Sequence, residues 1–192
     1  MEKLSFSVRP VSSLADKKQL DNYSCGVATL DEFVKSGYQK FEQMHVTSLN
    51  AVFIETALIG MYALSTSSST TLFADKNRIR IFGEASCQRT LPMVSIDHLS
   101  VHQKFQRGME FENIHLGTAI LHYIFKTLIE MSNYYGIAFA GVMVESLGEP
   151  LEFYMKNGFY FIDLHEETIP NQETYTLAIS YNDIRKSFEH AG

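Results

Sequence analysis

The 192-residue chain switches several times between a hydrophobic period of two and a period near 3.6, and those switches mark out its elements. Residues 4–11, LSFSVRPV, place Leu4, Phe6 and Val8 on one side of an extended segment, as a half-buried strand does. A short helix is expected over 13–20. Ser24-Cys25-Gly26 is a turn signal, and it introduces a helical pattern in which Leu30, Phe33, Val34, Phe41 and Met44 recur on one face. Residues 47–55 and 58–65 read as two strands joined tightly enough to form a hairpin. The Ser/Thr-rich stretch 65–71 reads as a loop, and the region up to about residue 90 offers only an alternating stretch at 78–82 as a strand.

After Pro92 the segment MVSIDHLSV predicts a strand reaching Val101. A polar segment, 102–113, precedes a long amphipathic helix over about 115–133, whose stripe is Ile120, Leu121, Ile124, Leu128 and Met131. A strand at about 137–145, a helix at 148–157, a short strand in FYFID and a strand in TYTLAIS follow. YNDIRKSFEH closes the chain as a helix. The order predicts an α+β fold, a mixed and mostly antiparallel sheet of six to seven strands flanked by helices. No repeat or linker divides it, so 1–192 is expected to be one domain, with its core over about 4–180 and 181–192 as a C-terminal helical extension.

Composition narrows the function classes. Apolar residues are 45% and charged residues 20%, as in folded soluble domains. The net charge of −6 argues against broad nucleic-acid binding, which needs clustered Lys and Arg, although a local patch can act against the global sign. Cys25 and Cys87 lack metal-type spacing and are expected to be free thiols, Cys25 packed inward at the turn. No His-Glu-x-x-His pattern occurs, and His115 and His122 stand seven apart, so no metal is expected. The start of the chain lacks an apolar signal core, and no run approaches the roughly 20 apolar residues of a membrane span. The expectation is a cytoplasmic protein with no membrane contact.

Four segments together resemble a known family. YSCGVATLDEFV is similar to an aromatic-x-Cys-Gly…Leu-Asp-x-aromatic pattern, and LIGMYALS to a hairpin strand carrying Gly-x-Tyr-Ala-Leu. PMVSIDHLSV resembles a strand ending in Leu-x-Val, and EFYMKNGF a late Phe-Tyr-x-x-x-Gly-Phe signature. Their order and spacing resemble the GNAT N-acetyltransferases over roughly 5–180, and within them the branch containing the acetyltransferase toxins of toxin–antitoxin pairs. The resemblance implies a splayed central strand pair, acetyl-CoA as co-substrate, and a primary amine as acceptor.

The chain departs from the family at the loop that binds the CoA pyrophosphate. The family pattern is Gln/Arg-x-x-Gly-x-Gly/Ala, whereas the aligned residues here are Glu112, Asn113, Ile114, His115, Leu116 and Gly117. Glycines let successive backbone N–H groups turn toward phosphate, and a helix N-terminus adds positive partial charge. Glu112 places a like charge there, a repulsion of about 1 kcal/mol that weakens binding several-fold without abolishing it. Lys104 and Arg107, in a longer preceding loop, are candidates to fold back over the phosphates. Asn113, Ile114, His115, Leu116, Gly117 and Thr118 remain the expected phosphate contacts.

By the same resemblance, the backbone of Leu99, Ser100 and Val101 would pair with the pantetheine arm and polarise the thioester carbonyl. Tyr154 would protonate the departing sulfur, a phenol near pKa 10 donating to a thiolate whose conjugate acid lies near 8.5. Asp97, His98 and Glu145 are candidate general bases, water being the alternative. Asp97 and His98 are adjacent on a strand and would face opposite sides. Lys76, Arg78 and Arg80 read as a solvated strand face, or as a contact for RNA or the CoA 3′-phosphate.

Three functions follow: an N-acetyltransferase acting on a primary amine; a toxin acetylating aminoacyl-tRNA, with a small antitoxin partner; or a GNAT-fold binding module with a degenerate CoA loop. A homodimer would fit any of them. Nucleic acid is expected only as tRNA, under the second.

Overall fold

The computed structural model describes residues 6–71, 75–106, 115–169 and 172–189. In chain order the elements begin with β1 (Ser7–Pro10) and α1 (Lys18–Asp21). One helical run follows, made of α2 (Ala28–Glu32), a wide π-turn (Phe33–Gly37) and α3 (Tyr38–Gln43). Next come β2 (Ser48–Ile54), β3 (Ala57–Thr70), α4 (Lys76–Phe82) and β4 (Thr90–Val101). The chain ends with α5 (Leu116–Tyr135), β5 (Gly141–Leu147), α6 (Leu151–Lys156), β6 (Tyr160–Phe161), α7 (Leu164–Thr168), β7 (Thr174–Ser180) and α8 (Tyr181–Glu189). The strands make a seven-stranded sheet in the order β1-β2-β3-β4-β5-β7-β6. This is a mixed α+β fold. No described helix is long and apolar enough to cross a membrane.

Two compact units are present, Met1–Ser65 with Asp97–Ile124, and Thr66–Ile96 with Phe125–Gly192. In the first, β1 and β2 pair antiparallel, as do β2 and β3, with a register shift between Val52 and Phe53. Apolar residues at alternate strand positions and at helical spacing meet there, Val34 and Tyr38 packing with Leu49, Ala51 and Met61. Burial of this kind stabilises by about 1.5–3 kcal/mol per large side chain. Gly60 is required by space, because a Cβ there would lie 2.7 Å from Ile120 Cδ1 and 2.8 Å from the Ser100 carbonyl oxygen.

In the second unit β5 pairs antiparallel with β7, and β7 with β6. Ile81, Phe82, Leu91, Met93 and Ala178 form a core cluster. Here the structure corrects two expectations. Residues 76–82 are helix rather than strand, because the Asp75 carboxylate caps the Arg78 N–H at 2.8 Å and buries Arg78, Ile81 and Phe82 on one helical face. The basic stripe is therefore broken up. Arg78 is interior, its guanidinium donating to Ser69 Oγ (2.5 Å) and to the carbonyls of Ser69, Ser86 and Gln88. The Ser/Thr stretch 65–70 is not a loop but the end of β3. Its hydroxyls and amides find partners, Thr70 Oγ1 with Thr90 Oγ1 and Thr71 N–H with the Arg89 carbonyl.

Candidate functional site

The parallel ladder between β4 and β5 is short. It joins Met93–Ile96 to Gly141–Val144 and ends there, while β4 runs on to Val101. The alternation of a strand then separates the last residues of β4 by face. His98 and Ser100 are buried, Leu99 and Val101 half-buried, and Asp97 exposed. Asp97 accepts hydrogen bonds from Thr47 (2.7 Å) and Ser65 (2.9 Å), so its carboxylate serves strand packing.

On the buried side three side chains form a chain of hydrogen bonds. Tyr23 Oη meets Ser100 Oγ at 2.7 Å, and Ser100 Oγ meets His98 Nε2 at 2.7 Å. Phe33 stacks on the imidazole, ring centres 5.4 Å apart. Either atom of each pair can donate, so the chain runs from Tyr23 to the ring or from the ring to Tyr23. His98 Nδ1 is the orphan among the described buried side-chain N and O atoms. Burial pushes the His98 pKa down to about 4, against a smaller opposite pull from Asp31, so the ring is neutral at physiological pH.

The segment after β4 is tied to the turn that opens the helical run. Asp31 accepts from the Cys25 N–H and the Ser24 hydroxyl, both at 2.7 Å. The Gln106 side-chain amide donates to the carbonyls of Cys25 (2.7 Å) and Val101 (2.9 Å), and the Gln103 N–H donates to the Ser24 carbonyl. Gly26 has φ +89°, a conformation open to glycine at little cost, and a Cβ there would lie 3.2 Å from Gln103 Nε2. Ser-Cys-Gly followed by Leu-Asp is thus a turn, its carboxylate clasp and the glycine that lets β4's continuation approach. Burial pushes the Cys25 thiol up to about 11, consistent with an inward, unreactive side chain.

In the second unit Tyr154 is buried on α6, edge-on to Phe153 and Phe159, with Phe159 stacked on Phe125. Its phenol makes no hydrogen bond among the described residues. Burial raises its pKa above the ordinary tyrosine value, keeping it protonated.

No family model matches the chain, and no curated protein does. Solved structures do. A bacterial toxin superposes with TM-score 0.75 at 16% identity, over 98% of this chain and 97% of that one. AtaT complexed with acetyl-methionyl-tRNAfMet gives TM-score 0.69 at 17% identity, over 96% and 99%. AtaTR bound with AcCoA gives 0.70 at 16%, over 95% and 98%. The chain has the GNAT fold.

Within that GNAT fold the anticipated residues are distributed as follows. Leu99, Ser100 and Val101 form the end of β4 beyond its ladder to β5. Leu116, Gly117 and Thr118 are the first turn of α5, whose opening N–H groups have no partner within the helix, and exposed His115 precedes them. Lys104 lies exposed in a short 3₁₀ turn, Gln103–Phe105. Arg107, Asn113 and Ile114 lie outside the described residues. Glu145 is exposed on β5 opposite Thr176 in β7. His98 is enclosed with its Nε2 engaged, so it belongs to packing in this conformation. Among the described residues no cluster of three or more His, Cys, Asp or Glu could hold a metal. Sequence reasoning missed Tyr23, Asp31 and Gln106. The YSCG…LD pattern carried the signal for the first two, and nothing local marked Gln106.

Proposed function

We propose that the protein is an N-acetyltransferase that moves the acetyl group of acetyl-CoA to a primary amine. The observation carrying this reading is the end of β4: four paired residues, then a further edge, Leu99–Val101, in the GNAT fold. The pantetheine arm pairs with that edge, and a backbone N–H there polarises the thioester carbonyl. The first turn of α5, Leu116–Thr118 after His115, receives the pyrophosphate. Lys104 and Arg107 supply countercharge, and Asn113 and Ile114 complete the phosphate loop.

The amine nitrogen attacks the thioester carbon, the C–S bond breaks, and the thiolate takes a proton from the Tyr154 phenol. The nitrogen's surplus proton leaves by Glu145 or water and restores the phenol in net terms. Burial raises the pKa of the phenol, so it is held in the protonated form that can donate. Tyr154→Phe is expected to slow acetyl transfer by about tenfold or more while acetyl-CoA binding measured by calorimetry is retained. Unchanged turnover would remove Tyr154 from the reaction, and no binding of acetyl-CoA at millimolar concentration would favour the non-catalytic module.

A second reading names the amine as that of an aminoacyl-tRNA. It is favoured by the likeness to AtaT complexed with acetyl-methionyl-tRNAfMet and to a mutant AtaT toxin bound to the C-terminus of the antitoxin AtaR. A small antitoxin would then be a partner of this chain. Growth arrest on induced expression, with acetylated aminoacyl-tRNA in the arrested cells, is the expected result. Unimpeded growth with no acetylated species would reject it.

A further inference from the structure

We propose that Gln106 and Asp31 are positioning residues that hold the thioester-docking edge of β4, an inference that rests on the acetyltransferase reading. The end of β4 needs such a device. Past Ile96 its ladder to β5 has ended, and a strand that must receive a ligand cannot be held along the same side by a neighbour.

The restraint acts on one peptide unit. The Val101 carbonyl accepts from Gln106 Nε2 at 2.9 Å, and the His102 N–H of the same unit donates to the Ile59 carbonyl at 2.8 Å. Its rotation is fixed from both ends. Gln106 is in turn fixed because its second bond goes to the Cys25 carbonyl. Cys25 cannot drift, since its own N–H is bound by Asp31, which also takes the Ser24 hydroxyl. A carboxylate accepting two hydrogen bonds is a strong anchor. Asp31 is kept below the ordinary carboxylate range, its burial outweighed by those bonds. The order of dependence is therefore Asp31, the Ser24-Cys25 turn, Gln106, then Val101. None of these side chains needs to touch the cofactor. Each sets the direction of the backbone that does.

Calorimetry with acetyl-CoA on the full chain tests this, using Gln106→Met and Asp31→Asn at a temperature well below every Tm. Methionine keeps the length of glutamine, adds no charge and removes the donor. Asparagine keeps an acceptor for one of the two bonds only. It also removes a negative charge, which by itself would favour a polyanionic cofactor, so weaker binding reports geometry.

Gln106→Met is expected to raise Kd about tenfold, and Asp31→Asn by a smaller factor. Hydrogen exchange on the wild type gives a second arm that does not depend on a variant folding. The His102 and Gln103 amides are expected to gain protection when acetyl-CoA binds. A fall in Tm with Kd unchanged, or no added protection at those amides, would make the network structural only and overturn the proposal. Wild-type protein that binds no acetyl-CoA would sink the acetyltransferase reading itself, and this inference with it.

Discussion

The enclosed imidazole of His98 makes stability depend on acidity in a way that can be worked out beforehand. Its folded-state pKa is about 4, against an ordinary histidine value of 6.5 in the unfolded chain. Above pH 6.5 the ring is neutral in both states and nothing is lost. Between 6.5 and 4 the unfolded chain takes up a proton that the folded one refuses, so stability falls as pH falls. Below about 4 both states are protonated and the loss is complete. Each tenfold change in proton concentration is worth about 1.4 kcal/mol, so the interval amounts to about 3 kcal/mol.

The perturbation is His98→Gln, which can still hydrogen-bond Ser100 but does not titrate. It forfeits the stack on Phe33 and is expected to cost about 1–2 kcal/mol at pH 7. Urea unfolding of both proteins from pH 7.5 to 4 is the assay. Carboxylates contribute to both curves, so the difference between them isolates His98. The wild type is expected to lose about 3 kcal/mol more than the variant over that range. Parallel curves would show that the imidazole titrates as an exposed one does, and that the Tyr23–Ser100–His98 chain does not enclose it.

Two further substitutions test the packing. Gly60→Ala pushes a methyl group to 2.7 Å from Ile120 Cδ1 and 2.8 Å from the Ser100 carbonyl, and a backbone oxygen cannot step aside. A loss of about 1–3 kcal/mol in a denaturant midpoint is expected, and none at all would place the two strands further apart. Arg78→Met leaves the carbonyls of Ser69, Ser86 and Gln88 without their buried donor. A loss of about 2–4 kcal/mol is expected, where a surface arginine would give almost none.

Which parts of the molecule could be read from its residues follows from how local their causes are. The α5 stripe was legible because Ile120, Leu121, Ile124 and Leu128 are buried along one helix, although Met131 at its far end is exposed. The β2–β3 hairpin was legible for the same reason, its alternation and tight turn lying within 20 residues of each other. Residues 76–82 misled because Arg78, Arg80 and Phe82 alternate, while the decisive signal, Asp75 three residues before Arg78, is a cap with no period. The Ser/Thr end of β3 misled because its polar groups are satisfied by residues farther along the chain.

The site divides in the same way. The strand that ends at Val101 and the helix that carries Tyr154 follow from short motifs. The tie between Gln106 and Cys25 spans 81 positions, and no window of sequence contains it.

The wide turn at Phe33–Gly37 has a consequence for how such chains can diverge in length. A π-turn amounts to an α-helix carrying one surplus residue. Losing a residue within 33–37 would convert it to an ordinary turn and leave Ala28–Glu32 and Tyr38–Gln43 facing as they do now. The same loss inside either flanking segment would swing everything beyond it by about 100° around the axis, carrying Tyr38 out of the core. When this chain is aligned with others of its fold, a one-residue gap in this helical run belongs at the wide turn.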